Sequence, residues 1–423
     1  MNKLSLLLYR LGVHAYFLAA KFWAFFNTKA KKFVEGRTDI FETITTSLQS
    51  EKRKRIWMHC ASLGEFEQGR PVLESFQKAR PDCAIVLTFF SPSGFEAFHG
   101  SDVADYIFYL PKDTPANAKL FLQLVKPEQA LFVKYDLWFF YLSELKKQKI
   151  PSVLFSAVFH KYQNFFKWYG GLQRKMLKNF SQIFVQDEDS LELLNTIGLF
   201  HVQVSGDTRY DRVLDVSNQH YDNEIIRHFM ADKHLIVAGS TWPSDWKLIE
   251  EAFPKLREKY NLIVAPHELS EDVDDLLPFS LLPFSQTYSN YDFKKSKDVL
   301  VLNTLHQLNK VYRYAAFTYV GGGFEKSGVH NVLEPVVYGK LVFIGSRYQE
   351  YREAVQLVKN GAAISVINGE QLYKKITQFE SQSEDRETLE NKAKAIVMTN
   401  AGATQKVVDY LLSNASFTKR SNS

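Results

Sequence analysis

Two loops in this 423-residue chain carry residue types that could do chemistry. The first is HCASLGEF, His59 to Phe66. A short apolar run stops at Ala61, a Ser62-Leu63-Gly64 turn follows, and a helix is expected to start near Phe66. Glu65 then sits at a helix N-terminus, where a carboxylate can be aimed into a cleft. It could take a proton from an attacking hydroxyl, an effect worth about 10²–10⁴ in rate. It could equally be a helix-capping acid favoured by the helix dipole. The second loop is GGGFEKSGVHNVLEP, Gly321 to Pro335. Glycines such as Gly322 and Gly323 let backbone approach a ligand where a Cβ would block it. A helix expected from His330 or Asn331 would offer its N-terminus to a phosphate, with Glu334 within reach of a ribose hydroxyl. A plain tight turn before a core helix is the alternative. No Gly-Lys-Ser/Thr closes the string, so it is not a Walker loop.

Three shorter loops join these. Ala238 to Thr241 offers the hydroxyls of Ser240 and Thr241, Ala265 to Glu268 presents His267, and Gly206 to Asp211 carries Arg209, a fixed cation suited to phosphate or carboxylate. Two strings look functional and have plainer explanations. Asp187-Glu188-Asp189 resembles a metal-binding DxD, yet first-turn helix acids explain it. Lys52 to Arg55 could be an anion patch, or a solvated run before a strand.

The elements needed to place these loops follow from hydropathy. Apolar runs at 56–61, 84–89, 129–133, 152–155, 182–185 and 202–204 alternate with amphipathic stretches such as 66–78 and 137–147. A second series covers 234–239, 262–265, 299–302, 317–320 and 341–344. This is βαβ repetition, which implies parallel sheets covered on both faces. At 423 residues two domains are the default. The expected division is an N-terminal helix over 1–37, an α/β domain over 38–211, a second over 212–415, and a frayed tail over 416–423. Ligands of open α/β sheets lie beyond the carboxyl ends of the strands, which is where all five loops fall.

Composition narrows the class. With 45% hydrophobic and 23% charged residues the chain folds, and a net charge of +5 with no base-reading basic helix argues against nucleic acid as a partner. Cys60 and Cys83 form neither a metal-ligand spacing nor a disulfide framework. Residues 4–26 are mostly apolar and contain no acid. Lys3, Arg10, His14 and Lys21 fall on one line of a helix, the pattern of a helix lying in a membrane interface. Lys29, Lys31, Lys32 and Arg37 follow and would favour an anionic leaflet. A spanning helix and a core helix with one solvated stripe remain open. Since both α/β series start later, residues 1–32 are expected to be dispensable for folding.

Taken together, the loops resemble the Kdo (3-deoxy-D-manno-octulosonic acid) transferases. The match runs over nearly the whole chain and is most specific at His59–Glu65 and at Gly321–Pro335, with His330-Asn331 and Glu334-Pro335. The resemblance implies the GT-B architecture: two facing Rossmann-like α/β domains with an N-terminal membrane-associated helix. It implies inverting transfer of Kdo from CMP-Kdo to a lipid A precursor (lipid IVA), without metal or other cofactor. The setting would be the cytoplasmic side of the inner membrane of a Gram-negative bacterium, with the inner membrane surface as a partner. Domain one, with Ser62 and Gly64 in its acceptor loop, would bind the lipid. Domain two would bind CMP-Kdo through Ser240, Thr241, His267, Gly322, Gly323, His330, Asn331 and Glu334, joined by Arg209. The family's base corresponds to Glu65 and its second acid to Asp136. The chain departs from the pattern in four places. Asp136 replaces a Glu, Phe139-Phe140 replace Pro-Asn, Asp207-Thr208-Arg209 replace Asn-Leu-Lys, and no Arg precedes His267. A GT-B enzyme using a UDP-sugar and a non-catalytic membrane scaffold of the same fold are the rival readings.

Overall fold

A computed structural model describes residues 3–268 and 277–413, the side chain of Lys3 excepted. The chain divides into two compact units, 1–212 with 401–423, and 213–400. Each is built on a parallel seven-stranded sheet. The first sheet comprises β1 (Lys54–Cys60), β2 (Cys83–Phe89), β3 (Tyr106–Tyr109), β4 (Pro127–Val133), β5 (Ser152–Ala157), β6 (Gln182–Val185) and β7 (Val202–Val204). Its order is 3-2-1-4-5-6-7. The second comprises β8 (His234–Thr241), β9 (Tyr260–Pro266), β10 (Ser285–Thr287), β11 (Val299–Val301), β12 (Phe317–Val320), β13 (Val342–Ile344) and β14 (Ala363–Ser365). Its order is 10-11-9-8-12-13-14. The order in which strands are added across the sheet reverses between β1 and β4 in the first sheet and between β8 and β12 in the second. These switch points open crevices at the carboxyl ends of the strands, the places where such sheets bind ligands.

Local sequence explains the elements that frame the first crevice. β1 and β2 are buried along nearly their whole length because helices cover both faces, so they read as continuous apolar runs rather than alternating ones. Ser62 is the N-cap residue of a helix over Leu63–Ala79. Gly69 lets that helix lie against the sheet: a Cβ there would stand 3.1 Å from Val133 and 3.2 Å from the Met58 sulfur.

Four expectations need correction. The helix after the first loop begins at Leu63, so Glu65 lies in its first turn rather than ahead of it. The helix after the Gly-rich loop spans only Leu333–Val336, too short for its N-terminus to act as a phosphate site. The chain also returns to the first unit: Val407, Val408 and Leu411 of the helix Ala403–Ser413 join the core formed with β1 and the helix Leu63–Ala79. The second domain therefore ends near residue 400 rather than 415. Finally, the N-terminal segment is two helices, α1 (Lys3–Trp23) and α2 (Thr28–Glu35), and it is not detached from the first unit. Leu6 and Tyr9 pack on the domain core, and Phe33 is buried. Among the described residues no helix is long and apolar enough to cross a membrane. The 416–423 tail lies outside the described residues.

Candidate active site

Glu65 and Asp136 meet at the switch point of the first sheet. Glu65 follows β1, and its carboxylate accepts a 2.6 Å hydrogen bond from the Ala61 N–H. Asp136 follows β4 on a turn that Lys134 enters at φ +58°, a left-handed conformation uncommon for a residue with a side chain. The two carboxyls are hydrogen-bonded to each other, and both pKa values are raised, first by burial. Asp136 is only 7% exposed, and the Glu65 charge pushes its pKa higher still. Backbone N–H groups of Ala61 and Ser62 and the nearby Lys134 charge favour ionised Glu65. Of the two, Asp136 is therefore the readier to hold a proton and Glu65 the readier to ionise.

His59 backs this pair. It is fully buried, and burial drives its pKa down to about 3, so the ring is neutral. The Trp138 indole N–H donates to its Nε2 at 3.0 Å, and Nδ1 lies 2.9 Å from the Thr88 hydroxyl. An indole nitrogen only donates, so Nε2 is the acceptor and the ring proton is on Nδ1. The 3.5 Å approach of Nε2 to Asp136 is thus not an ion pair, since Nε2 carries no hydrogen. The roles of His59 and Trp138 have no local sequence signal; they depend on residues 79 positions apart. Ser62 is the N-cap of the helix whose first turn carries Gly64 and Glu65.

The second unit assembles its own cluster at the switch point between β8 and β12. Ser240 adopts φ +53° within β8, and the buried Thr241 hydroxyl makes no hydrogen bond. His267 donates its backbone N–H to the Thr241 carbonyl, and its ring stacks on Trp242 at 4.4 Å and on His330 at 4.5 Å. Trp242 donates its indole N–H to His330 Nε2 at 2.7 Å. Burial lowers the pKa of His330 to about 4 and that of His267 in the same direction, so both rings are neutral. At Gly322, φ is +84° and a Cβ would stand 2.8 Å from the His330 ring. At Gly323 it would stand 2.5 Å from the Gly345 nitrogen. Asn331 donates to Glu334 at 3.2 Å, orienting that carboxylate. Asp245, which sequence reasoning missed, is fully buried and accepts from the Trp242 and Gly322 N–H groups and from the Tyr319 hydroxyl.

Arg209 belongs to the first unit. It is forked onto Asp207 with contacts of 2.6 and 2.9 Å. The two ambiguous strings resolve to structure. Asp187 caps its helix by accepting from the Ser190 N–H at 2.7 Å. Arg53 pairs with Glu51 and Asp105, Lys54 with Glu128, and Arg55 donates to backbone carbonyls.

The chain is similar to known proteins in sequence and in fold. Residues 36–212 match the family model described as 3-Deoxy-D-manno-octulosonic-acid transferase (kdotransferase). The chain is 26% identical over 84% of its length to the 3-deoxy-D-manno-octulosonic acid transferase of Haemophilus influenzae, covering 86% of that protein. It is 27% identical over 80% of its length to that of Aquifex aeolicus, covering 91% of it. In fold it is similar to the UDP-GlcNAc 2-epimerase of Neisseria meningitidis, with a TM-score of 0.59, 16% identity and 85% and 100% of the two chains covered. A glycosyltransferase of Rickettsia africae gives a TM-score of 0.56 at 15% identity, with 86% and 100% covered. These neighbours carry the GT-B class of fold expected from the sequence.

Proposed function

We propose that the chain is a Kdo transferase, a reading supported by its match to that family model over residues 36–212 and by its likeness to the two relatives, and that it transfers Kdo from CMP-Kdo to a hydroxyl of a lipid A precursor, lipid IVA, with Glu65 as the base. Glycosyl transfer itself goes with the family. The observation that carries the finer reading is the carboxyl pair at the first switch point. A lone buried carboxylate would tend to take up a proton and lose its basicity. Here Asp136 is the readier to hold a proton, and Glu65 the readier to ionise, steadied by the Ala61 N–H.

In the proposed reaction Glu65 accepts the proton of the acceptor hydroxyl. The oxygen attacks the anomeric carbon of Kdo as the bond to the CMP phosphate breaks, and CMP leaves with that electron pair. Attack opposite the leaving group inverts the centre. In the second unit, Ser240, Thr241, His267, Gly322, Gly323, His330, Asn331 and Glu334 are assigned to the nucleotide sugar. Neutral His267 and His330 can donate to or stack on it without bringing charge. Arg209, oriented by Asp207, is assigned to phosphate.

The setting we propose is the cytoplasmic side of the inner membrane. Leu4, Leu8, Leu18, Phe22, Trp23, Phe25 and Phe26 are exposed, and Lys29, Lys31 and Lys32 follow them. An exposed apolar surface beside cations suits an anionic lipid interface. The test is mass spectrometry of products from lipid IVA with CMP-Kdo and, in parallel, with UDP-sugars. The expected result is a product heavier by Kdo with CMP-Kdo alone. Transfer from a UDP-sugar, or from none, would overturn the reading.

A further inference from the structure

A groove of about 430 Å³ runs between α1 and α2, within the size range of small-ligand sites. Ala20 and Trp23 of α1 and Ala30 and Phe33 of α2 form its sides, and Phe90 is part of its wall. The alanines leave open space where larger side chains would fill it. Two of the polar groups on the lining are used internally: Asn27 accepts from the Ala30 N–H, and the Ser91 hydroxyl bonds to that of Ser93. The groove therefore presents mainly hydrocarbon, with Lys29 as a cation on the same lining.

What this surface adjoins identifies its occupant. On one side it joins the exposed apolar end of α1, where Phe22 and Trp23 are exposed. On the other its wall residues Phe90 and Ser91 are linked to the carboxyl pair through intervening contacts. Phe90 packs on Trp138 at 4.8 Å, and Trp138 donates to His59 beside Asp136. The backbone makes the same connection. The Phe90 and Ser91 N–H groups donate to the Cys60 and Ala61 carbonyls, and the Ala61 N–H holds Glu65. A chain lying in the groove would belong to a molecule whose head reaches the base.

We infer that the α1–α2 groove is a binding site for one acyl chain of the acceptor lipid, seated so that the sugar head lies at Glu65. This rests on the reaction proposed above. A phosphorylated lipid acceptor supplies both the alkyl chain that the apolar lining accepts and an anion that Lys29 would attract.

The test uses the full chain with Ala20→Leu and Ala30→Leu, which fill the groove with a good helix former. Rates are measured in one detergent with CMP-Kdo and two acceptors, the acylated lipid and its fully deacylated counterpart. kcat/KM for the acylated acceptor is expected to fall about tenfold or more, the loss expected when about two methylene groups lose their berth. That for the deacylated acceptor should be unchanged. An equal fall with both, or no fall with the acylated one, overturns the inference. A second readout does not need turnover: quenching of Trp23 by an acceptor with brominated acyl chains, assigned by difference from Trp23→Phe. Quenching lost in Ala30→Leu supports the site even if the wild type transfers no Kdo, in which case the reaction assignment fails instead. Vesicles of brominated phosphatidylglycerol that quench Trp23 equally, with the same sensitivity to Ala30→Leu, would show a bilayer chain in the groove and overturn the acceptor assignment.

Discussion

Glu65 and Asp136 have the same functional group but opposite tasks, and environment decides which does which. The more enclosed Asp136 is the readier to keep a proton; Glu65, facing N–H donors and a lysine, is the readier to give one up. Glu65→Gln preserves size but cannot accept a proton. Turnover should fall by about 10² or more, with CMP affinity and melting temperature little changed. If capping were its task, stability would instead drop by about 0.5–2 kcal/mol with turnover kept in the folded fraction. The raised pKa of Glu65 sets the pH dependence. Ionised base is lost as pH falls through that raised value, so the acid limb of kcat/KM should lie above the ordinary carboxylate range. Asp136→Asn retains a donor to Glu65 and should leave that limb in place, whereas Asp136→Ala should move it toward neutrality; an identical profile in both variants would remove Asp136 from the pair. Stability carries the matching sign. A carboxyl whose folded pKa is raised contributes fully at low pH and loses that contribution as pH rises through the folded value, so Asp136→Asn should gain relative to wild type on the alkaline side. In the second unit, Glu334→Ala should weaken CMP binding by about 1–3 kcal/mol in calorimetry, and unchanged affinity would reassign Glu334 to local packing. Glu65 and the glycines were legible because residue type and strand-end position coincide there, whereas Asp136 was indicated only by the family resemblance. His59, Trp138 and Trp242 were not, since an indole that fixes a distant imidazole tautomer leaves no local pattern.

Elements, rather than single residues, decide how firmly the Asp136 loop is held. The helix Phe139–Lys147 follows that loop, and Asp113 caps its first turn by accepting from the Phe140 and Tyr141 N–H groups. Tyr9 of α1 donates to Asp113 at 2.6 Å and accepts from the Phe139 N–H at 3.3 Å. Its ring lies 6.1 Å from those of Phe139 and Phe140, the residues that depart from the family pattern. α1 is thereby tied to the segment carrying Asp136, which argues against the expectation that residues 1–32 are dispensable for folding. Tyr9→Phe should cost about 0.5–1.5 kcal/mol in urea unfolding. Asp113→Ala strands several donors at once and should cost more than Tyr9→Phe; equal effects would mean that the cap is satisfied without Asp113. Long apolar strands such as Lys54–Cys60 were visible in the sequence because burial on both faces demands uninterrupted hydrophobicity. Tyr106–Tyr109, Ser285–Thr287 and Ala363–Ser365 were not, being short strands at or near sheet edges whose membership depends on pairing rather than on hydropathy. The Tyr9–Asp113 tie spans 104 positions and likewise has no local signature.

On the scale of the whole molecule, chain order and domain membership part company after residue 400. The two α/β series and the seam near residue 212 were legible from the alternation of apolar runs. The return of the last helix was not, because an amphipathic helix declares that it has a partner without saying which. Val407, Val408 and Leu411 are buried in the first unit, the Gln129 amide donates to the Leu411 carbonyl, and Asp211 accepts from the Gly402 and Thr404 N–H groups. Burying a Val or Leu side chain is worth about 1.5–3 kcal/mol, and a domain's whole stability is about 5–15 kcal/mol. Ending the chain at Asn400 removes three such side chains and leaves the Gln129 amide and the Asp211 carboxylate without those partners. The first unit should lose several kcal/mol, while the second, whose own sheet and helices lie within 213–400, should not change. Urea unfolding of the full and truncated chains, followed by hydrogen exchange at β1 and at β8, separates the two units. Protection at β1 should collapse at lower denaturant in the truncated chain while protection at β8 stays where it was. A parallel loss at both strands would mean that the last helix supports the second unit as well, and undiminished protection at β1 would mean that its apolar face contributes nothing to the first.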